Sequence, residues 1–276
     1  MGDEPGPLLV VGGHEEKDGC PVILERLVEL AGGSRAVIAV VPTASTAPDR
    51  AAVPYERALT RLGARKVVPV WIDRRAEADA WRPDGERKDI TALFFTGGDQ
   101  LRITSTLGGT AFHRWLVERH RAGLVVAGTS AGASAMSDTM IVAGERDESP
   151  TLNTVELAVG MGFWPGVVVD QHFSERGRIG RLLSALAQNP AVLGVGIDEN
   201  TAIEVDFRRE AFLVWGDGIV TVLDGTRITH TNASESKPTQ ALMLSDVLVH
   251  ILPQGWAYEW ARRKPFAVET VKEGVR

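Results

Sequence analysis

Short runs of consecutive apolar residues, spaced by segments of helical periodicity, constrain this chain most. Residues 8–11, 36–41, 66–71, 92–95, 124–127 and 166–169 are mostly unbroken in their apolarity rather than alternating. A strand with one solvated face alternates, whereas a continuous run suits a strand covered on both faces. Between the runs, residues 21–31 place Ile23, Leu24, Leu27, Leu30 and Ala31 on one helical face, and residues 55–62 and 111–121 are further helix candidates. This βαβα rhythm predicts an α/β fold built on a doubly wound, mostly parallel sheet. After Gly194 the spacing shortens, with strand candidates at 194–197, 202–205, 211–214, 219–223 and 241–252, divided by turns such as Trp215-Gly216-Asp217-Gly218 and Asp224-Gly225. These read as antiparallel strands added to the same unit. No Pro- or Ser-rich linker separates the halves, so residues 1–276 are expected to form a single catalytic domain, with 232–238 as an exposed loop.

Composition removes several function classes. The formal net charge of -6 argues against a nucleic-acid partner. One cysteine, Cys20, permits no internal disulfide and suits a reducing compartment. The start Met1-Gly2-Asp3-Glu4-Pro5 lacks the basic and apolar character of a signal peptide, and no apolar run reaches bilayer-spanning length. The expectation is a soluble cytoplasmic protein with no membrane partner. Neither a zinc-type Cys/His cluster nor a Walker-type loop is present, so no metal and no cofactor are expected.

The run 124–127 leads directly into Gly128-Thr129-Ser130-Ala131-Gly132. A G-x-S-x-G segment between a strand and a helix start exposes its serine at the apex of a tight turn, which makes Ser130 the candidate nucleophile. The amide of Ala131, at the helix start, is a natural oxyanion donor. A second glycine turn, Thr96-Gly97-Gly98-Asp99-Gln100, follows the preceding strand. Turns at the carboxyl ends of neighbouring parallel strands face one crevice, so Gly98 or its neighbour can supply the second oxyanion donor, and Gln100 would face the substrate. Gly12-Gly13 ends the first strand beside the same mouth.

A serine nucleophile needs a base and the base an orienting acid. Of the six histidines, His113 and His120 lie seven apart in a helix that reads as solvated, His230 lies in a polar run and His250 in a late apolar strand. His172 follows Val167-Val168-Val169-Asp170-Gln171 at a strand's carboxyl end, which marks it as the base. The acid is expected from Asp198-Glu199, after another strand. Adjacent residues on an extended segment point oppositely, so one of the two reaches His172; Glu199 is favoured, with Asp198 as the alternative. After His172, a helix is predicted to begin within 174–177 and to carry Arg176, Arg178 and Arg181 in its first turns. Cations there oppose the helix dipole, which points to an anion site beside the base; the bland alternative is a solvated basic face partly neutralised by Glu175.

Gly97-Gly98-Asp99-Gln100, Gly128-Thr129-Ser130-Ala131-Gly132-Ala133, and Asp170-Gln171-His172-Phe173 followed by the three arginines together resemble the cyanophycinase family, in the dipeptidase E-like group of serine peptidases. The resemblance runs from Val10-Val11-Gly12-Gly13 to Glu199-Asn200-Thr201. It implies a class I glutamine-amidotransferase-like, flavodoxin-like sheet and a Ser130–His172–Glu199 triad. Gln100, Asp170, Gln171, Arg176, Arg178 and Arg181 would line the substrate groove. The implied substrate is cyanophycin, a poly-aspartate with arginine on each side-chain carboxyl, cleaved to β-aspartyl-arginine. It leaves room for a homodimer. Gly12-Gly13-His14-Glu15-Glu16-Lys17 departs from the small-residue-and-acid pattern expected at that point. The alternatives are an aspartyl dipeptidase or isoaspartyl-peptide hydrolase with another substrate, and a catalytically silent polymer binder. An α/β-hydrolase esterase would need the histidine late in the chain, and a glutamine amidotransferase would place cysteine at position 130.

Overall fold

A computed structural model describes residues 4–144 and 149–268; the expectations for Met1–Asp3 and for the last eight residues of the 1–276 unit lie outside the described residues. Five parallel strands, β1 (Leu8–Val11), β2 (Val37–Val41), β3 (Lys66–Pro69), β4 (Ala92–Phe95) and β5 (Val125–Thr129), are arranged in the order β1-β5-β4-β2-β3. Their apolar runs are continuous because alternate side chains enter two different cores. Leu8, Val10, Val37, Ala39 and Val41 join one buried cluster, and Leu9, Val11, Ile38 and Val40 join the other. Helices α1 (Val22–Leu30) and α2 (Pro48–Arg61) cover the second face with Ile23, Leu24, Leu27, Tyr55 and Leu59. On the first face lie α3 (Arg75–Asp79), α4 (Gln100–Leu107), α5 (Ala111–Arg121) and the single turn α6 (Ala131–Ser134). Helix α2 starts well before residue 55, at Pro48, and carries Pro54 inside it. That proline removes one backbone donor and masks the helical pattern upstream.

Downstream come β6 (Thr139–Gly144), β7 (Val155–Val159), β8 (Val167–Gln171), α7 (Ile179–Gln188), β9 (Leu193–Ile197), β10 (Thr201–Asp206), β11 (Ala211–Gly216), β12 (Ile219–Asp224), β13 (Leu248–Pro253), β14 (Trp256–Glu259) and β15 (Lys264–Ala267). Strands β10, β11, β14 and β15 extend the large sheet antiparallel beyond β1, giving nine strands. This matches the expected α/β architecture of a parallel sheet with antiparallel additions.

Three strand expectations need correction. The strand after Gly166 does not continue the large sheet; β8 belongs to a separate four-stranded sheet of order β13-β12-β9-β8. The segment from 194 is not an antiparallel addition, since β9 pairs parallel with β8 across the α7 crossover and antiparallel only with β12. Of residues 241–252 only those from Leu248 onward form a strand, because Asp246 takes a positive φ of 61° and interrupts extension. The two sheets nevertheless share a core, with Val169, Val195, Ile197, Val220, Val222 and Leu252 in the same cluster as Leu8, Val10 and Phe95. Among the described residues no helix is long and apolar enough to cross a membrane.

Candidate active site

The carboxyl ends of both sheets converge on one point. Strand β5 ends at Ser130, whose φ of 52° and ψ of -111° lie in a region that non-glycine residues rarely adopt. The tight turn is possible because Gly128 lies against Gly132; a Cβ at position 128 would come within 2.7 Å of its backbone. From the other sheet, β8 ends at His172 and β9 leads to Glu199. The connection between the sheets is the β1 end, where Gly12 O accepts from His172 N (2.9 Å), Gly12 N donates to Thr201 O (2.9 Å) and Gly13 O accepts from Asn200 N (2.8 Å). Gly13, at φ 111°, lets the His172 ring lie directly on the backbone; an added Cβ would meet that ring at 2.3 Å.

The side chains form a linear chain of contacts. Ser130 Oγ lies 2.8 Å from His172 Nε2, and His172 Nδ1 lies 2.6 Å from Glu199 Oε1. Glu199, not Asp198, faces the histidine. Asp198 accepts from Ser174 N (3.0 Å) and Ile219 N (3.2 Å), a purely structural engagement that ties β9 to the segment after β8 and to β12. Burial holds His172 below the ordinary histidine value, opposed by its hydrogen bond to Glu199 and reinforced by Arg176. Burial alone would raise Glu199, but the hydrogen bonds from His172 and His14 outweigh it and hold the carboxyl below its usual range. Neutral His172 beside ionised Glu199 is the protonation state in which an imidazole can accept a hydroxyl proton.

The chain opens into a cavity of about 440 Å³. It is lined by Gly97, Gly98 and Gln100, by Gln171, Arg176, Arg178 and Arg181, and by His14, Lys17 and Tyr55. Gly97 packs on Ser130, with an ideal Cβ 3.4 Å from that of the serine, so the Gly97-Gly98 turn borders Ser130. The amide nitrogen of Gln100 donates to Ile141 O (2.6 Å) and Val142 O (3.1 Å), anchoring the hairpin strand β6 as well as lining the cavity.

The arginines are not arranged as expected. Helix α7 begins at Ile179, so Arg176 and Arg178 precede it and only Arg181 lies in its first turn. Arg178 and Arg181 are buried, not a solvated face. Arg181 grips the fully buried Asp170 with two nitrogens, Nε to Oδ2 at 2.7 Å and a second, shorter contact. Arg178 reaches Gln171 Oε1 (2.8 Å) and Asp170 Oδ1 (3.4 Å). The anion these two meet is therefore internal, and Asp170 acts on the cavity only through them. Arg176, half-buried, has no ion-pair partner among the described residues. Glu175, expected to neutralise this cluster, instead accepts from Glu199 N (3.1 Å).

His120 also departs from expectation. It is buried on α5, bonded to Leu124 O (3.2 Å), and burial lowers its basicity. His113, half-buried, contacts Met161 O (3.0 Å). His230 is exposed and His250 packs on Tyr258; neither lines the cavity. The sequence reading missed four residues after β1 and on α2. Glu15, fully buried, accepts from Thr129 Oγ1 (2.6 Å) and from the Tyr55 hydroxyl, whose own ionisation is pushed well up by burial and by Glu15. Lys17 covers the Tyr55 ring at 4.5 Å. His14 Nδ1 lies 2.7 Å from the second Glu199 oxygen. Four polar residues in succession, His14-Glu15-Glu16-Lys17, after a buried strand's carboxyl end were the available signal. His14, His172 and Glu199 lie close enough together to ligate a metal. In that cluster each imidazole Nδ1 meets one oxygen of the Glu199 carboxylate.

The chain is similar to several known proteins. The model of peptidase family S51 matches residues 8–210. Cyanophycinase from a Nostoc species is 39% identical over 250 residues, covering 90% of this chain and 83% of its own. That from Geminocystis herdmanii is 37% identical over 262 residues, covering 94% and 96%. Among solved structures, a peptidase from an acI-B1 actinobacterium superposes with a TM-score of 0.63 at 23% identity, covering 91% of this chain and 99% of its own. A putative peptidase E from Listeria monocytogenes gives 0.54 at 18%, covering 78% and 100%. These two show likeness of fold alone. On the family match and the cyanophycinase relatives, the chain is a serine-type peptidase and a member of peptidase family S51.

Proposed function

We propose that this peptidase is a cyanophycinase, hydrolysing the poly-aspartate backbone of cyanophycin and releasing β-aspartyl-arginine. The observation that carries the reading is the unbroken contact chain Ser130–His172–Glu199 opening into an arginine-lined cavity. Ser130 Oγ attacks the scissile carbonyl while His172 Nε2 takes its proton. Glu199, on Nδ1, orients the imidazole and stabilises the imidazolium. The developing oxyanion is met by the amides of Gly98 and Ala131. His172 then returns the proton to the leaving amine, and water, deprotonated by the same nitrogen, releases the acyl group. Arg176 offers an uncompensated guanidinium to a substrate carboxylate. Arg178 and Arg181, pre-positioned by Asp170, together with Gln100 and Gln171, shape the rest of the groove.

We also assign the parallel strands to the flavodoxin-like, class I glutamine-amidotransferase-like type. The order β3-β2-β4-β5 supports this, since it reproduces the progression 2-1-3-4 of that fold, and the cavity lies at the carboxyl ends as its ligands do. The test of the function is incubation with purified cyanophycin and mass identification of products. β-Aspartyl-arginine is the expected species. An intact polymer alongside hydrolysis of aspartyl or isoaspartyl dipeptides would assign the site to that substrate class instead.

A further inference from the structure

Glu199 is held at both oxygens. Oε1 meets His172 Nδ1 at 2.6 Å and Oε2 meets His14 Nδ1 at 2.7 Å, while the two imidazole rings pack edge to face with centroids 5.0 Å apart. The carboxylate only accepts, so the His14 proton in this bond sits on Nδ1, and the residue also lines the cavity. A carboxylate anchored at one oxygen can swing about its terminal bond; one anchored at both cannot. Anchoring matters here because the Glu199 side chain is one-quarter exposed and would otherwise exchange its second partner with water. His14 adopts a φ of 49°, a left-handed conformation that ordinary side chains avoid and that asparagine tolerates. Of the seven non-glycine residues with positive φ among the described residues, His14, Ser130, His172 and Asn200 all gather at this junction. Backbone strain concentrated in this way marks residues whose placement the surroundings over-determine.

We propose that His14 is a positioning residue of the catalytic apparatus, a second imidazole on Glu199 that fixes the carboxylate toward His172 and so sets the reactivity of Ser130. This rests on the Ser130–His172–Glu199 reading above. The charged and titratable groups facing the pair are Arg176 beside His172, Glu175 at the Glu199 amide, and Lys17, Arg178 and Arg181 around the cavity. Within that set His14 acts in one direction. By donating to Glu199 it draws the carboxylate's charge away from His172, and when protonated it repels a second proton there. Both effects keep His172 neutral to lower pH, so His14 extends activity on the acid side.

The test uses the full chain and a fluorophosphonate probe, with the second-order rate of Ser130 modification followed against pH, which makes the readout independent of the natural substrate. His14→Gly relieves the backbone conformation while deleting the donor. It should slow modification about tenfold at the plateau and move the acid limb upward by about half a pH unit, the scale of one lost hydrogen bond to a charge. His14→Asn keeps an N–H near the Nδ1 position and tolerates the left-handed φ, so it should restore the plateau to within about twofold. His14→Gly matching the unmodified protein in rate and profile, or His14→Asn no better than His14→Gly, would overturn the proposal alone. Modification of Ser130→Ala at the original rate would overturn the triad reading and this inference with it.

Discussion

Strands β1, β2, β4 and β5 carry no charged side chain and bury both faces in apolar clusters, whereas β8 ends in Asp170, a fully buried carboxylate holding two buried arginines. Both regions reach the same cavity, and they contribute different things to it. The large sheet supplies a strained serine turn with a glycine turn beside Ser130, and His14, Lys17 and Tyr55 from the β1 end and α2. The four-stranded sheet supplies ionisable side chains: His172, Glu199 and the arginine wall. A shape held by packing tolerates loss of a few atoms locally, while a site held by buried charge depends on every partner. Ser130 and His172 thus sit on elements stabilised by different physics, and the β1 end at Gly12-Gly13 ties these elements together through backbone hydrogen bonds.

The largest expected effect is on chemistry. Ser130→Ala should reduce turnover by about three or more orders of magnitude while thermal unfolding stays within about a degree or two of the unmodified protein. Residual turnover of a few per cent would remove Ser130 from the nucleophile role. Next is the charged sheet. Asp170→Asn leaves Arg178 and Arg181 buried without their counter-charge and should lower stability by about 3–5 kcal/mol in denaturant unfolding. Leu9→Ala, in the apolar sheet, should cost about 2–5 kcal/mol by cavity formation. The two differ in activity rather than stability: Asp170→Asn should also impair kcat/KM at temperatures where the protein remains folded, and Leu9→Ala should not. Equal activity in both variants would erase the distinction between the regions.

Smaller effects sharpen it. Arg176 has no ion-pair partner among the described residues, so Arg176→Ala should change stability by no more than about 0.5 kcal/mol. Its kcat/KM for cyanophycin should fall about 10- to 100-fold, the scale of a charge-assisted contact, with a much smaller loss for an uncharged activated ester. Equal losses on both substrates would make Arg176 structural. The smallest effect is in pH dependence. Because burial holds His172 below the ordinary value of 6.5, its neutral, proton-accepting form persists as pH falls through that value. The acid limb of kcat/KM should therefore lie below pH 6.5, and a limb above it would mean that Glu199 dominates over burial.

The same contrast governs what could be read without coordinates. The Ser130 turn is local: strand, small residues and helix start are contiguous, so residue order alone points to it. Alternation along an extended segment, again a local rule, told that one of Asp198 and Glu199 reaches His172 but not which; the turn after β9 decides for Glu199. Sheet membership of β8 was not legible, because a five-residue apolar run looks the same in any sheet buried on both faces. The arginine wall was misjudged for a related reason. Asp170, the counter-ion, precedes Arg178 and Arg181 by 8 and 11 residues and becomes their partner only when the chain turns back from β8 into α7. His120 was legible in principle, since Phe112, Leu116 and His120 recur at intervals of four and share the buried face of α5. The charged neighbours Arg119 and Arg121 disguised it. His14 depended on β1 and β9 ending at one point, and Glu15 on β1, β5 and α2 meeting, which no spacing in the sequence encodes.

We propose that a serine on one sheet is activated by a histidine on the other in a site that accepts cyanophycin. This is tested most directly by treating the protein with a fluorophosphonate, with and without saturating cyanophycin, and locating the adduct by peptide mass mapping. A single adduct is expected on Ser130, slowed by cyanophycin and reduced by orders of magnitude in His172→Ala. An adduct on another residue, or one on Ser130 formed at the original rate in His172→Ala, would contradict it.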